Sequence, residues 1–536
     1  MCGSRRRFYI LSVAIILASL FFFSTRLQYA SLQPLSVQPH EEPPEKAQEN
    51  PPKLQEGSNN PQGGLGGSSN PQGGPSNPQE GLSSSEQKQV VVSPRCSELR
   101  FEDPDIKLSP RINYNRRCIK PKFDDSIARY DRGDGRFIDR VVNLTGPLIT
   151  EKTPVNLEAC DFPEFTACDD AIELPVQRPY PEKKFDEFIF GVATTYERLE
   201  MSIPQFKHWL ADTGAPLVGL VIDKEDEVQS KNLDFSRLVQ AYADAGMTLK
   251  IARPHGPDHT VEQSHMMVIR DMLAHIDAEG NASGTRWLGV LDDDTFFPSL
   301  YPLLETLSHY DHTVPTYLGA VSEHLELSRI GGPGAAYGGA GIFLSVPLAH
   351  EISPHLDSCL TKRGGDMQIM ECIHDHSHAR LFPVVGLQQT DMAQDLSGFF
   401  ESGWRYLSFH HWKSWFHEPV EKQAAVVHLC GDCYLQRYTF EDNAVLTNGY
   451  SINVYPKGFP DFSRIEGTWE NAIGERRLFQ WSMGPLRPPM SKEDKKQYKL
   501  LEAFTTEDGT FRQIFVHKGD QERQEVDEVI DLVWQL

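Results

Sequence analysis

The sequence predicts an α/β protein in which a Rossmann-like, mostly parallel sheet is flanked by helices. Three observations carry this. From Phe185 onward, apolar runs of strand length alternate with stretches of helical spacing. An acidic run, Asp292-Asp293-Asp294, follows directly on one of those apolar runs. Beyond Cys433 the pattern gives way to mixed aromatic and polar segments, read as a β-rich C-terminal extension.

The chain has 536 residues, enough for one large domain with appendages. Its net charge of −23 argues against a nucleic-acid groove, which needs clustered Lys and Arg. Apolar residues make up 39 %, a figure diluted by the N-terminal region.

That region opens with Arg5-Arg6-Arg7, then an uncharged, mostly apolar run from Phe8 to Phe23, then Arg26. The basic flank places residues 1–7 in the cytoplasm and the rest of the chain in the lumen. A cleavage site wants small residues spaced as A-x-A, and Gln28-Tyr29-Ala30 puts a bulky Gln at the first of them. This favours a transmembrane signal anchor over 8–25 rather than a cleaved peptide. As a helix the run spans about 24 Å, closer to early secretory membranes at about 27 Å than to the plasma membrane. A single-pass type II protein of the Golgi or endoplasmic reticulum is therefore expected. Eight cysteines beyond Cys2 would lie in an oxidising lumen, where disulfides are the default, although sequence cannot choose the pairing. The sequons Asn143-Leu144-Thr145 and Asn281-Ala282-Ser283 fit the same side.

Residues 26–95 read as a disordered stem, rich in Pro, Gly, Ser, Gln and Asn, with a near-repeat of Asn-Pro-Gln beginning at Asn60, Asn70 and Asn77. Residues 96–184 carry four cysteines and few periodic runs, and read as a disulfide-tied lead-in that packs on the main domain. Strands are expected at Glu187–Thr194, Pro216–Ile222, Thr248–Ala252 and Arg286–Leu291. Helices are expected at Arg198–Leu210, Phe235–Ala245 and Val261–Ala278. Such βαβ units make a parallel sheet, and ligands bind at the carboxyl ends of its strands. The acidic run falls there. A charged helix is expected at Glu525–Leu532.

Five constellations carry chemistry. The three carboxylates of Asp292, Asp293 and Asp294 repel one another unless a cation screens them. Mg²⁺ or Mn²⁺ often takes one or two carboxylates together with substrate phosphates. A solvated acidic turn is the plain alternative, but the preceding apolar strand and the following Phe296-Phe297 favour a site. A haloacid-dehalogenase phosphatase would need D-x-D-x-T, and Thr295 follows Asp294 too soon. Next, Gly338-Gly339-Ala340-Gly341 precedes the strand-like Ile342–Ser345, and glycines admit close ligand approach or positive φ. With Gly331-Gly332-Pro333-Gly334 upstream, the stretch reads as a glycine-rich loop consistent with a mobile lid. Third, Gly364-Gly365-Asp366 heads a helix, which leaves Asp366 as either a plain N-cap or an ionised general base. Fourth, His410 and His411 beside Trp412 offer an imidazole ligand or a structural histidine. Fifth, Cys430-x-x-Cys433 reads as a disulfide element rather than a zinc site.

In this order (TTxxR after the first strand, WLGVLDDDTFF, GGAGIFLS, GGD before a helix, LSFHHW) the sequence resembles the fringe-like members of the β1,3-glycosyltransferase superfamily, glycosyltransferase family 31. The resemblance covers about 185–438, taken as the catalytic domain, with 439–536 as the extension. It implies a GT-A fold and inverting transfer from a UDP-sugar to a glycan or glycoprotein acceptor, with Mn²⁺ or another divalent cation. On matching positions it implies Asp293 and Arg198 at the nucleotide-sugar, with Gly339, Ala340 and Gly341 lying against the sugar or acceptor. It implies Asp294 and His411 on the metal, with Asp292 in support and His410 as the alternative imidazole. Asp366 would be the base. The sequence departs from the family at Gly386–Asp391, where Gln388 stands in a stretch that carries a histidine in related chains. A glycan-binding protein that kept the fold without turnover is the competing reading.

Overall fold

The computed structural model describes residues 107–535, with 125–140, 163–167, 169, 281–282, 331–333, 362–363, 415–417 and 473–479 outside the described set. The expected anchor and stem, the Asn281 sequon and most of the upstream glycine stretch therefore lie outside the described residues. Among the described residues no helix is long and apolar enough to cross a membrane.

Four strands precede the predicted α/β region: β1 (Arg111–Phe123), β2 (Val141–Asn143), β3 (Thr153–Asn156) and β4 (Ile172–Val176). The α/β region contributes β5 (Phe188–Thr194), β6 (Leu217–Val221), β7 (Leu249–Ala252), β8 (Trp287–Leu291), β9 (Tyr317–Gly319), β10 (Ile342–Ser345) and β11 (Leu381–Pro383). The rest supplies β12 (Arg437–Thr439), β13 (Ala444–Thr447), β14 (Ser451–Val454), the short pair β15 (Ile465–Glu466) and β16 (Leu486–Arg487), then β17 (Lys496–Thr505), β18 (Phe511–His517) and β19 (Asp527–Trp534).

The α/β sheet runs β11-β9-β10-β8-β5-β6-β7. Strands β8, β5, β6 and β7 are mutually parallel, and β10 runs antiparallel to β8 and β9. The four expected strands are thus present within a residue or two of their expected ends. Alternation along β5 explains the burial of both faces. Phe188, Phe190 and Val192 join one apolar cluster, and Ile189 joins the other with Met266, Ile269 and Met272 of the helix Val261–Glu279. That helix lies so close that a Cβ on Gly191 would sit 2.9 Å from Met272 Sδ, which is why this strand position has no side chain. The expected helix over 198–210 is two helices, Tyr196–Met201 and Ile203–Leu210, separated at Ser202, with a proline in the first turn of the second.

The second sheet has ten strands, and its main path is β2-β12-β13-β14-β17-β18-β19-β1-β3, with β4 beside β1. β1 pairs in parallel with β19, from Ile112 opposite Asp527 to Ile119 opposite Trp534. The segment expected as a charged helix at 525–532 is therefore strand. Its acidic residues misled the reading because Asp531 is fully buried, accepting from Arg512 and from Tyr114 Oη. The strand Arg437–Thr439 straddles the expected junction at 438–439. One apolar cluster runs from Phe190 and Trp287 of the α/β sheet to Tyr498, Phe515 and Trp534 of the second sheet. Disulfides join Cys118 to Cys168, Cys359 to Cys372 and Cys430 to Cys433.

Candidate active site

The carboxyl end of β8 delivers the acidic run into a junction of three loops. Phe296 and Phe409 exchange backbone hydrogen bonds of 2.8 Å, which draws 408–411 beside 292–296. Thr295 Oγ1 donates toward the carbonyls of Gly338 (3.3 Å) and Gly339 (3.2 Å), and Ser408 Oγ donates to the Ala340 carbonyl at 2.7 Å. The glycine turn, the acidic run and the histidine pair are thus packed together by hydroxyls and backbone.

The three aspartates have different surroundings. Asp293 is buried and takes a two-pronged contact from Arg198: Nε donates to Oδ2 at 2.6 Å and Nη2 to Oδ1 at 2.5 Å. Thr194 Oγ1 at the end of β5 donates to the same carboxylate, and Lys413 Nζ lies 3.5 Å away. Those contacts raise the Arg198 pKa, while burial lowers that of Lys413. Asp294 is buried, with Oδ1 2.9 Å from His410 Nε2 and Oδ2 without a hydrogen-bond partner. Asp292 is half-exposed, with Oδ2 3.3 Å from His410 Nε2 and Oδ1 3.7 Å from His265 Nδ1.

His410 Nδ1 faces the Gln389 carbonyl at 3.2 Å, which makes Nδ1 the donor and turns Nε2 toward the carboxylates. Burial opposes its charge, but Asp292 and Asp294 prevail and hold its pKa up to about 10. Burial raises the cost of ionising Asp294, yet His410 keeps its carboxyl below the usual range. His411 is buried at φ +64, a conformation that non-glycine residues adopt only when their surroundings impose it. Its Nε2 lies 3.3 Å from Asp391 Oδ1 and its Nδ1 2.9 Å from Ser414 Oγ, and burial lowers its pKa. One His411 nitrogen lies within 4.8 Å of an Asp294 carboxylate oxygen.

Asp294, His410 and His411 therefore offer three ligand atoms within 4.8 Å of one another. One carboxylate and two imidazoles suit Mn²⁺ or Zn²⁺ among the common divalent ions. The orphaned Asp294 Oδ2, with His410 Nε2 turned toward the same carboxylate, marks where a cation would act. The residues fit a divalent metal, and the geometry brings His410 as well as His411 within reach of Asp294.

Asp366 begins the helix Asp366–His376. His265 Nε2 is 3.3 Å from its Oδ1, without an aligned hydrogen bond. His265 thus bridges Asp292 and Asp366. Burial opposes protonation of His265, but those carboxylates raise its pKa. The disulfide Cys359–Cys372 ties this helix to the preceding one.

The turn Gly338–Ala340 is buried, and a Cβ on Gly339 would lie 2.1 Å from His410 Nδ1. Gly339 and Ala340 therefore back the histidine, and Gly341, at φ +93, turns the chain into β10. Four participants escaped sequence reasoning. His265 is a polar residue among methionines on a buried helix face, a signal that could have been used. Asp391 ends the divergent Gly386–Asp391 stretch. Lys413 follows the histidine pair after Trp412. Glu323 carried no signal; it is buried beside Asp391, and both burial and that neighbour raise its pKa to about 7.

Residues 250–378 match the family Fringe-like, and residues 332–458 match a protein family of unknown function, DUF604. Together they span every residue of the metal set, the glycine turn and Asp366. No curated protein matches the chain. Among solved structures it is similar to mouse xyloside xylosyltransferase 1 in its apo form, at 13% identity and a TM-score of 0.22 over 38% of this chain and 85% of that one. It is similar to the glycosyltransferase GlyE of Streptococcus pneumoniae TIGR4, at 12% identity and 0.27 over 46% and 61%. It is also similar to the galactosyltransferase LgtC in complex with donor and acceptor sugar analogs, at 13% and 0.23 over 36% and 72%. Likenesses this low carry no weight beside the family matches. Those two family matches, over residues 250–458, support a fringe-like glycosyltransferase.

Proposed function

We propose that this chain is an inverting, Mn²⁺-dependent glycosyltransferase that moves a hexose or N-acetylhexosamine from a UDP-sugar to a glycan or glycoprotein acceptor, in β1,3 linkage. The observation that carries the reading is the buried Asp294 with its unpartnered Oδ2, set against His410 and His411 at the carboxyl end of β8. A divalent cation bound there would neutralise charge on the diphosphate leaving group.

The chain's own residues supply the rest. Asp366, at a helix N-terminus and steadied by His265, accepts the proton of the attacking acceptor hydroxyl. Attack from the face opposite the leaving group inverts the anomeric centre in one displacement, so no enzyme nucleophile is needed. Arg198, half-exposed, and the largely covered Lys413 place two cations on Asp293, a carboxylate suited to the nucleotide-sugar hydroxyls. The basic flank, apolar run and low-complexity stem support a type II protein of the Golgi or endoplasmic reticulum with its catalytic domain in the lumen.

The test is a panel of UDP-sugars offered to the purified protein, read as donor binding and donor hydrolysis. Binding of one UDP-sugar, with hydrolysis or transfer, is expected. Binding without turnover for every donor would point instead to a glycan-binding protein with this fold.

A further inference from the structure

The role of the C-terminal extension is not legible in the sequence, yet two short pieces of it reach the loops around Asp391 and Glu323 that lie behind His411. Asn471 spans both sides of Met392. Its Nδ2 donates to the Asp391 carbonyl at 3.0 Å, and its Oδ1 accepts from Ala393 N at 3.4 Å. Glu470 N donates to the Ala393 carbonyl at 3.0 Å. Further along, Ser482 N donates to the Glu323 carbonyl at 2.9 Å, and Trp481 stands edge-on against His324 with ring centroids 5.0 Å apart.

Both contacts converge on Asp391. Its backbone N faces Glu323 Oε2 at 3.4 Å, its carboxylate accepts from Ser322 Oγ, and its carbonyl is held by Asn471. The preceding Thr390 sits at φ +57, so this backbone depends on its surroundings to hold its shape. Asp391 Oδ1 in turn receives His411 Nε2–H at 3.3 Å while Nδ1 faces Ser414 Oγ at 2.9 Å, and the imidazole stands within 4.8 Å of an Asp294 carboxylate oxygen. A carboxylate behind an imidazole sets both the tautomer and the aim of a metal-binding histidine.

We infer that the C-terminal extension, through Asn471, positions His411 for metal binding by fixing Asp391. The inference rests on the metal-site reading given above. Asn471 is a positioning residue and touches no reactant. The same extension offers an internal control. Thr468 Oγ1 donates to the Asp395 carbonyl and accepts from Gly398 N, and no contact joins it to Asp391 among those described.

The experiment is Mn²⁺ binding to the full-length protein without nucleotide, read from the electron paramagnetic resonance of free Mn²⁺, beside thermal melting. Loss of an outer-sphere partner weakens metal affinity by about 10- to 100-fold. Asn471→Ala is expected to weaken Mn²⁺ at least about 10-fold on that basis, while Thr468→Ala melts earlier and leaves affinity within about twofold, below any outer-sphere loss. In a His411→Asn background, where Asn tolerates the positive φ, Asn471→Ala should add nothing further. Binding that depends on Asp294 and is untouched by Asn471→Ala overturns the inference and leaves the metal site standing. An additional loss in the His411→Asn background also overturns it. Wild-type binding that is absent, or indifferent to Asp294→Ala, removes the metal-site reading and this inference with it.

Discussion

Gly339→Ala probes the site with a single methyl group. The added Cβ would lie 2.1 Å from His410 Nδ1 and 2.4 Å from its Cγ. Ordinary contact begins at 3.4 Å, so the ring or the turn must retreat by about 1.3 Å. The ring has no free direction. It is buried, its Nδ1 is on the Gln389 carbonyl, its Nε2 is between Asp294 and Asp292, and its face is 3.7 Å from the His411 ring centroid. The turn is pinned by Thr295 and Ser408. Overpacking of this kind costs about 1–3 kcal/mol. A ligand moved by more than an ångström should weaken Mn²⁺ by at least the about 10- to 100-fold seen when outer-sphere partners are lost. Gly338→Ala makes a graded comparison, because its Cβ would meet His265 and Asp292 Oδ1 at 2.8 Å instead. It should disturb Asp366 through His265 more than it disturbs the metal. Mn²⁺ titration and scanning calorimetry on both variants decide the matter. Unchanged affinity and unchanged Tm in Gly339→Ala would refute the claim that the glycine turn backs His410.

Further outcomes follow from the same geometry. Asp366→Asn should lower kcat by about 10²- to 10⁴-fold, the range of a lost general base, while UDP binding measured by calorimetry stays intact. Arg198→Met leaves buried Asp293 with Lys413 as its nearby cation and the Thr194 hydroxyl as its donor; because Arg198 is half-exposed, the expected loss is about 1–2 kcal/mol, seen in urea unfolding, together with a raised donor KM. At Glu528 burial opposes ionisation, but Lys152, Lys496 and Tyr498 overcome it and bring the pKa down to about 2. A depressed carboxylate contributes stability above its ordinary pKa of 4.5 and loses it as pH falls toward 2. Glu528→Gln should therefore cost about 2–3 kcal/mol at pH 7 and flatten the acid limb of a Tm-against-pH curve. Asn143, exposed at the end of β2, should carry glycan if the chain is lumenal, so Asn143→Gln should increase electrophoretic mobility of the protein from secretory-pathway cells.

The α/β sheet was legible because each of its buried strands is a local apolar run, and local runs need no knowledge of partners. Strands β1 and β19 were not, because they pair across some four hundred residues and their charges are neutralised only in the fold, as Asp531 is by Arg512. The same division holds in the site. Asp294 and His411 stand in short motifs, and Asp366 follows a glycine pair, so each could be singled out locally. His265 joins Asp366 only because two helices cross, and Asp391 reaches His411 only through the loop that Asn471 and Glu323 hold. The glycine turn illustrates a subtler limit. Its motif was visible, but its job of backing His410 depends on a contact no spacing can express.

The most direct measurement is sugar transfer from the preferred UDP-sugar by the full-length protein, stripped of metal with a chelator and then titrated with Mn²⁺. Transfer should vanish on stripping, return with Mn²⁺, and remain absent in Asp294→Ala at every Mn²⁺ concentration. Transfer that persists without metal, or that Asp294→Ala performs at the wild-type rate, would contradict the assignment of Asp294, His410 and His411 as the metal site.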